Sequence, residues 1–171
     1  VFEGRNSSVG ERSMLGVVQE VARALADKPL GQLASFDQMF EGIRASLKSA
    51  NQRAINDAER SPSLPPLAIR LLKALFLVKY VDTFKATPRN LTVLVYDRFG
   101  TDLTQLGKDV REALAVLEAQ TYIQRNGDIY DYLTNEEQKI EQEIKNVDID
   151  NSELNNDKLV TWNTAISRNT T

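Results

Sequence analysis

The stretch "YIQRNGDIYDYL", residues 122–133, decides how the rest of the chain is read. Asn126-Gly127 sits between two short runs rich in Ile and Tyr. That dipeptide is a strong hairpin signal, because both central residues of a type I′ turn need positive φ. A two-residue loop there pairs Arg125 with Asp128, Ile123 with Tyr130 and Thr121 with Tyr132 on one face. The other face then holds Gln124 with Ile129 and Tyr122 with Asp131. A cross-strand Ile–Tyr contact contributes roughly 0.2–1 kcal/mol. An isolated hairpin is marginal, so this one must dock on something.

Upstream, the chain is helical. Asp102-Leu-Thr-Gln105 offers an N-cap, and Leu103, Leu106, Val110, Leu114 and Leu117 line one face of a long helix. Thr87-Pro88 starts a shorter helix through about Tyr96. Its "LTVLVY" segment is β-branched enough to be a strand. Before it, "LAIRLLKALFLVKYV" is apolar around most of a helical circumference, the mark of a central core helix. "SPSLPP", residues 61–66, has three prolines in five residues, forbids helix and suits Pro66 to a first helical position. Helix, short helix, long helix, hairpin is the order of a winged helix-turn-helix, and that order resolves "LTVLVY" toward helix.

Residues 8–60 fit an antiparallel helical pair. Ser8-Val-Gly-Glu11 has capping-box form, and Leu15, Val18, Ala22 and Leu25 follow at helical spacing. Asp27 through Gly31 ends that helix. A second cap at Ser35-Phe-Asp-Gln38 precedes one long helix with a stripe of Phe36, Phe40, Ile43, Leu47, Ala50 and Ala54. After the hairpin, Thr134-Asn-Glu-Glu137 caps a short amphipathic helix carrying Ile140, Ile144 and Val147. A polar tail anchored only by Leu159, Val160, Trp162 and Ile166 follows. The expected fold class is mainly α. It comprises a helical subdomain over 1–60, a winged helix over 61–135, and an amphipathic helix with polar tail over 136–171.

Composition bounds the chemistry. The 171 residues contain no Cys and no His, which removes thiolate chemistry and the commonest general base and metal ligand. Cysteine usage fits a cytoplasmic location. Net charge is −3, and no run of 18 apolar residues exists to span a membrane. The chain opens on "VFEGRNSSVG" without Met and without a signal peptide, as expected of a piece from the interior of a larger gene product. No G-x-x-x-x-G-K-[ST] phosphate loop is present. "EEQKIEQEI" alternates carboxylates with lysine as a solvated helix face does, so no metal is expected.

Nucleic-acid binding is testable by charge. Residues 101–120 carry Lys108 and Arg111 against Asp102, Asp109, Glu112 and Glu118; the wing carries Arg125 against Asp128 and Asp131. Phosphate neutralisation dominates DNA affinity, and both elements are net acidic. Lys108, Arg111 and Arg125 are the candidate contacts, with balancing of neighbouring carboxylates as the plainer role. The tyrosines Tyr122, Tyr130 and Tyr132 suit packing of a small sheet.

Several stretches together resemble a known family: "FEGRNSSVGERSMLGVVQEVA", "LLKALFLVKYVDTFKAT" and "NLTVLVYDRFGTDLTQLGKDVREALAVLEAQTYIQRNGDIYDYLTNEEQKIEQEIKN". They are similar to the region downstream of the ATPase core in the large P-loop, AAA+-like proteins of BREX-type phage-defence systems, over most of residues 2–146. The resemblance implies a lid and winged helix following an ATPase module, with Arg12 in "GERSM", and Arg5 second, as candidates to approach nucleotide phosphates. An ordinary surface arginine is the competing role for each. ATP and Mg²⁺ would belong to the absent core, and this piece would hold no cofactor and hydrolyse nothing alone. The implied partners are the rest of the parent chain, other subunits or defence proteins. A DNA-binding module and a structural scaffold are the alternatives.

Overall fold

The computed structural model describes residues 7–47 and 49–146. Residues 1–135 form one compact unit and 136–171 another. In the first unit, α1 spans Ser7–Leu25, a 3-10 turn Phe36–Gln38, α2 Met39–Arg44, α3 Ser49–Arg60, α4 Pro66–Val78, α5 Pro88–Leu94 and α6 Leu103–Ala119. The hairpin strands are β1 Ile123–Asn126 and β2 Ile129–Tyr132. The chain is therefore mainly helical, with one small antiparallel sheet. A further helix covers 135–146, where Ile140 and Ile144 are exposed. Val147 and the tail lie outside the described residues.

Helix α4 is the centre. Pro66 occupies its first turn, where a missing N–H costs nothing. Ala68, Leu71, Leu72, Ala74, Leu75 and Val78 are buried. They pack against α6, α3, α5, β2 and the 3-10 turn. "LTVLVY" is helical as its place in the order requires: Thr87 accepts a hydrogen bond from the Asn90 N–H, and Pro88 opens α5. Asp102 caps α6, accepting from the N–H groups of Thr104 at 2.8 Å and Gln105 at 3.3 Å.

The expected long helix over 36–54 is broken. A 3-10 turn leads into α2, and the chain leaves helical form after Arg44 before α3 begins. Nothing in "RASL" forbids helix, so the cause is tertiary. Gln52 donates its carboxamide N–H groups to the carbonyls of Arg44 and Leu47, satisfying acceptors that the break exposes. The apolar stripe stays inward: Phe40, Leu47 and Ala54 are buried. Ser35 flanks the 3-10 turn without capping it, because its hydroxyl is engaged by Arg70 instead. Ser8 lies in α1, and its side chain lies outside the described residues.

Helix α1 meets α2 through a close approach. A Cβ on Gly42 would stand 2.7 Å from the Val17 backbone, so only glycine permits the contact. That contact turns Val17 inward and leaves the expected stripe uncovered: Leu15 is 70% and Val18 55% exposed.

The hairpin forms, but two residues out of the expected register. Ile123 pairs with Tyr132, Gln124 with Asp131, Arg125 with Tyr130 and Asn126 with Ile129. The loop is Gly127-Asp128, and of these two only Gly127 has positive φ, at 61°. That is the φ pattern of a type II′ turn. It confines the left-handed conformation to glycine and spares Asn126 a cost of about 1–2 kcal/mol. A shift of two preserves the faces, so Ile123, Tyr130 and Tyr132 remain on the buried side as expected.

Between α6 and β1 the chain turns on Thr121, which is buried and has φ 61°. The Thr121 N–H donates to the Glu118 carbonyl at 3.1 Å and the Tyr122 N–H to Leu117 at 3.0 Å. This is a Schellman ending with threonine where glycine is usual. It sends the chain from helix into strand in two residues.

Candidate functional site: the cationic ties of the central helix and the hairpin

Arg70 and Lys73 interrupt the apolar run of α4 and Lys79 stands at its C-cap, and each ties the helix to a different element. Arg70 reaches the 3-10 turn and the segment after α5. Its guanidinium donates to Asp37 at 3.2 and 3.4 Å, to the Ser35 hydroxyl at 3.1 Å and to the Val95 carbonyl at 2.7 Å. It also pairs with Asp97 at 3.0 Å. Asp37 is 5% exposed, so its charge depends on this partner. Beside this cluster, residues 31–33 and 97–99 pair: Leu33 N–H donates to Asp97, and Phe99 N–H to Gly31.

Lys73 ties α4 to α2 and α3. Its ammonium lies 2.7 Å from Glu41 and 2.8 Å from Glu59. Arg44 completes the cluster, paired with both acids and with the Asn56 side-chain oxygen. The hydrogen bond from Arg44 leads the effects that hold the Glu59 carboxyl down to about 2. Burial pushes Glu41 up, but hydrogen bonds from Arg44 and Lys73 outweigh it, so its carboxyl also sits below the usual range. Both cations lie over the Phe40 ring, at 5.0 Å for Arg44 and 5.7 Å for Lys73.

Lys79 ties α4 to the hairpin. Its ammonium donates to the Tyr132 carbonyl at 2.7 Å, and the Tyr130 N–H donates to the Ala86 carbonyl. A chain of edge-on rings runs from Phe40 to Phe76 at 5.5 Å and on to Tyr132 at 5.3 Å. The docking that an isolated hairpin needs is thereby supplied by α4 and the segment before α5.

The residues singled out by sequence lie apart from these ties. Arg5 lies outside the described residues. Arg12 is in α1, and its side chain also lies outside the description. On α6, Lys108 is exposed, and Arg111 donates to the Gly107 carbonyl of its own helix at 3.1 Å. Arg125 folds back on the turn, donating to the Gly127 carbonyl at 2.7 Å, with Asp128 3.8 Å away and the Tyr130 ring 5.7 Å below it. Among the described contacts, Arg111 and Arg125 each bond within their own element, and the three positions do not converge. Burial, with Asp57 nearby, raises the Tyr122 hydroxyl above its ordinary value.

Two surface depressions adjoin these elements. One, of about 410 Å³, lies between the end of α4 and the hairpin, with Lys79, Lys85, Asp82 and Asp131 on its walls. The other, of about 290 Å³, is largely apolar, lined by Val21, Phe36, Met39, Val93, Leu94 and Tyr96. Helix α1 contributes Val21 to its wall. Among the described residues no group of His, Cys, Asp or Glu is arranged to hold a metal, and no helix is long and apolar enough to cross a membrane. No protein-family model matches the chain, and no solved structure matches it.

Proposed function

We propose that this chain is the lid-like helical part and winged helix of a larger BREX-type P-loop ATPase, and that it serves regulation and protein interaction. The reading draws its family from the sequence resemblance. Its single structural support is the uncovered apolar side of α1, where Leu15 and Val18 stand exposed on the same helix that lends Val21 to the groove of Met39 and Val93. Exposed apolar area costs about 25 cal/mol per Å², and contiguous patches of this kind mark contact surfaces. The rest of the parent chain is the partner proposed for it. The order α4, α5, α6, hairpin supports the winged-helix assignment, and the wing would then face protein.

The test uses the whole parent protein. Leu15→Glu with Val18→Glu should uncouple this region from the ATPase core and change nucleotide turnover. The same pair placed in the isolated chain should leave its melting nearly unchanged. Unaltered turnover in the parent would remove the reading, as would a parent reading frame with no P-loop ahead of Val1. Lys108, exposed and in none of the hydrogen bonds or ion pairs above, is the observation that favours DNA binding instead. Micromolar duplex binding that weakens steeply with added salt would establish that second reading.

A further inference from the structure

The hairpin turn carries the one Asn-Gly pair in the sequence, and its geometry bears on a reaction rather than on a fold. We infer that Asn126 is a self-modification site, converting to aspartate and isoaspartate and so changing the charge and the backbone of the wing with time. The nucleophile is the backbone nitrogen of Gly127 after loss of its proton. It attacks Cγ of Asn126, the new N–Cγ bond closes a five-membered succinimide, and the Cγ–Nδ2 bond breaks with nitrogen leaving as ammonia. Water then adds to one of the two ring carbonyls. Opening at one gives aspartate; opening at the other gives isoaspartate, whose main chain is longer by a carbon. No electrons are gained or lost.

Three observations favour this site. Asn126 and Gly127 are both exposed. The Gly127 N–H donates to no hydrogen bond among the described residues. The Asn126 carboxamide is held only by a long bond from its N–H to Asp131, at 3.3 Å. Asn90 is a useful contrast: it lies in a helix, and the N–H that follows it, on Leu91, is bound to the Thr87 carbonyl at 2.9 Å.

The product has consequences for the wing. A carboxylate replaces the amide that donated to Asp131, so attraction becomes repulsion between like charges. The wing over 121–133 goes from a net charge of −1 to −2. Isoaspartate also disrupts the Asn126–Ile129 pair that closes the ladder.

The experiment holds the purified chain in mildly alkaline buffer, beside a synthetic peptide of residues 122–133. Samples are digested for mass spectrometry, and isoaspartate is labelled with an isoaspartyl methyltransferase. The charged groups around Asn126 are Arg125, Asp128 and Asp131 on the hairpin and Lys79, Asp82 and Lys85 across the groove. The attacking nitrogen must first lose its proton, so the rate should rise in proportion to hydroxide. The expected result is conversion at Asn126 ahead of every other asparagine, abolished by Asn126→Gln. An Asn126 that stays intact while the free peptide converts, or prior conversion elsewhere in the chain, would overturn the inference.

Discussion

Arg70→Met removes the guanidinium that reaches Asp37, Ser35, Asp97 and the Val95 carbonyl while keeping an apolar stem in α4. Two groups are stranded. Asp37 is 5% exposed and loses both of its charge-assisted hydrogen bonds. The Val95 carbonyl, on a residue with no exposed surface, loses its donor at 2.7 Å. Stranding a fully buried charge costs about 3–5 kcal/mol. An unmet buried carbonyl adds about 1–3 kcal/mol. The Arg70 side chain is 28% exposed, so water can enter its place and relieve part of this. We expect a net loss of about 2–4 kcal/mol, combining these two costs with that relief. At roughly 2–4 °C per kcal/mol for a chain of this size, Tm should fall by about 5–15 °C. Urea unfolding followed by circular dichroism measures it, with the slope unchanged if only the native state is affected. The cycle with Asp37→Asn is the sharper check. Once the carboxylate is neutral, Arg70→Met should cost about 1–2 kcal/mol less than in the parent sequence. A single-variant loss below about 0.5 kcal/mol, or a coupling energy near zero, would show that Arg70 and Asp37 do not depend on each other.

Three further outcomes follow from the same contacts. Phe40→Ala empties the space beneath Arg44 and Lys73 and should cost about 3–5 kcal/mol by urea titration. Gly42→Ala drives a methyl group into the Val17 backbone and should destabilise by about 1–3 kcal/mol, whereas Gly16→Ala, with open space around it in the same α1, should gain up to about 1 kcal/mol in parallel melts. Glu59 is depressed to about 2 in the folded chain from an ordinary value of 4.5, so its contribution is complete above pH 4.5 and is lost as pH falls toward 2. Glu59→Gln should therefore flatten the acid limb of the stability–pH curve in that window and leave its shape near neutrality unchanged.

Much of the segment from Pro66 to the hairpin was legible because its signals are local. Pro66, Thr87-Pro88 and Asp102 each act within one turn of helix, and each starts an element where expected. The Asn-Gly dipeptide located the hairpin but not its register, since both I′ and II′ turns accept glycine and only the pairing of Ile123 with Tyr132 distinguishes them here. The break after Arg44 was invisible because Gln52 and the Glu59 cluster cause it from the next helix. The cationic ties were equally hidden: Arg70, Lys73 and Lys79 read as blemishes in an apolar run, and their partners lie 33, 32 and 53 residues away. Helical spacing found the stripe on α1, but which side of that helix is covered depends on Gly42.

Helix α4 serves as the common wall for what lies on either side of the proline segment, and this bears on how the unit comes apart. Phe76 is in edge contact with Phe40 from before that segment and with Tyr132 from the hairpin. Cleavage at Ser61–Pro66 would leave residues 66–135 with an exposed Phe76 and an unpaired Lys73, and would leave residues 7–60 with no helix to cover Phe40. Native-state hydrogen exchange should accordingly find the slowest amides of α2, α4 and β2 opening in a single step, as one foldon.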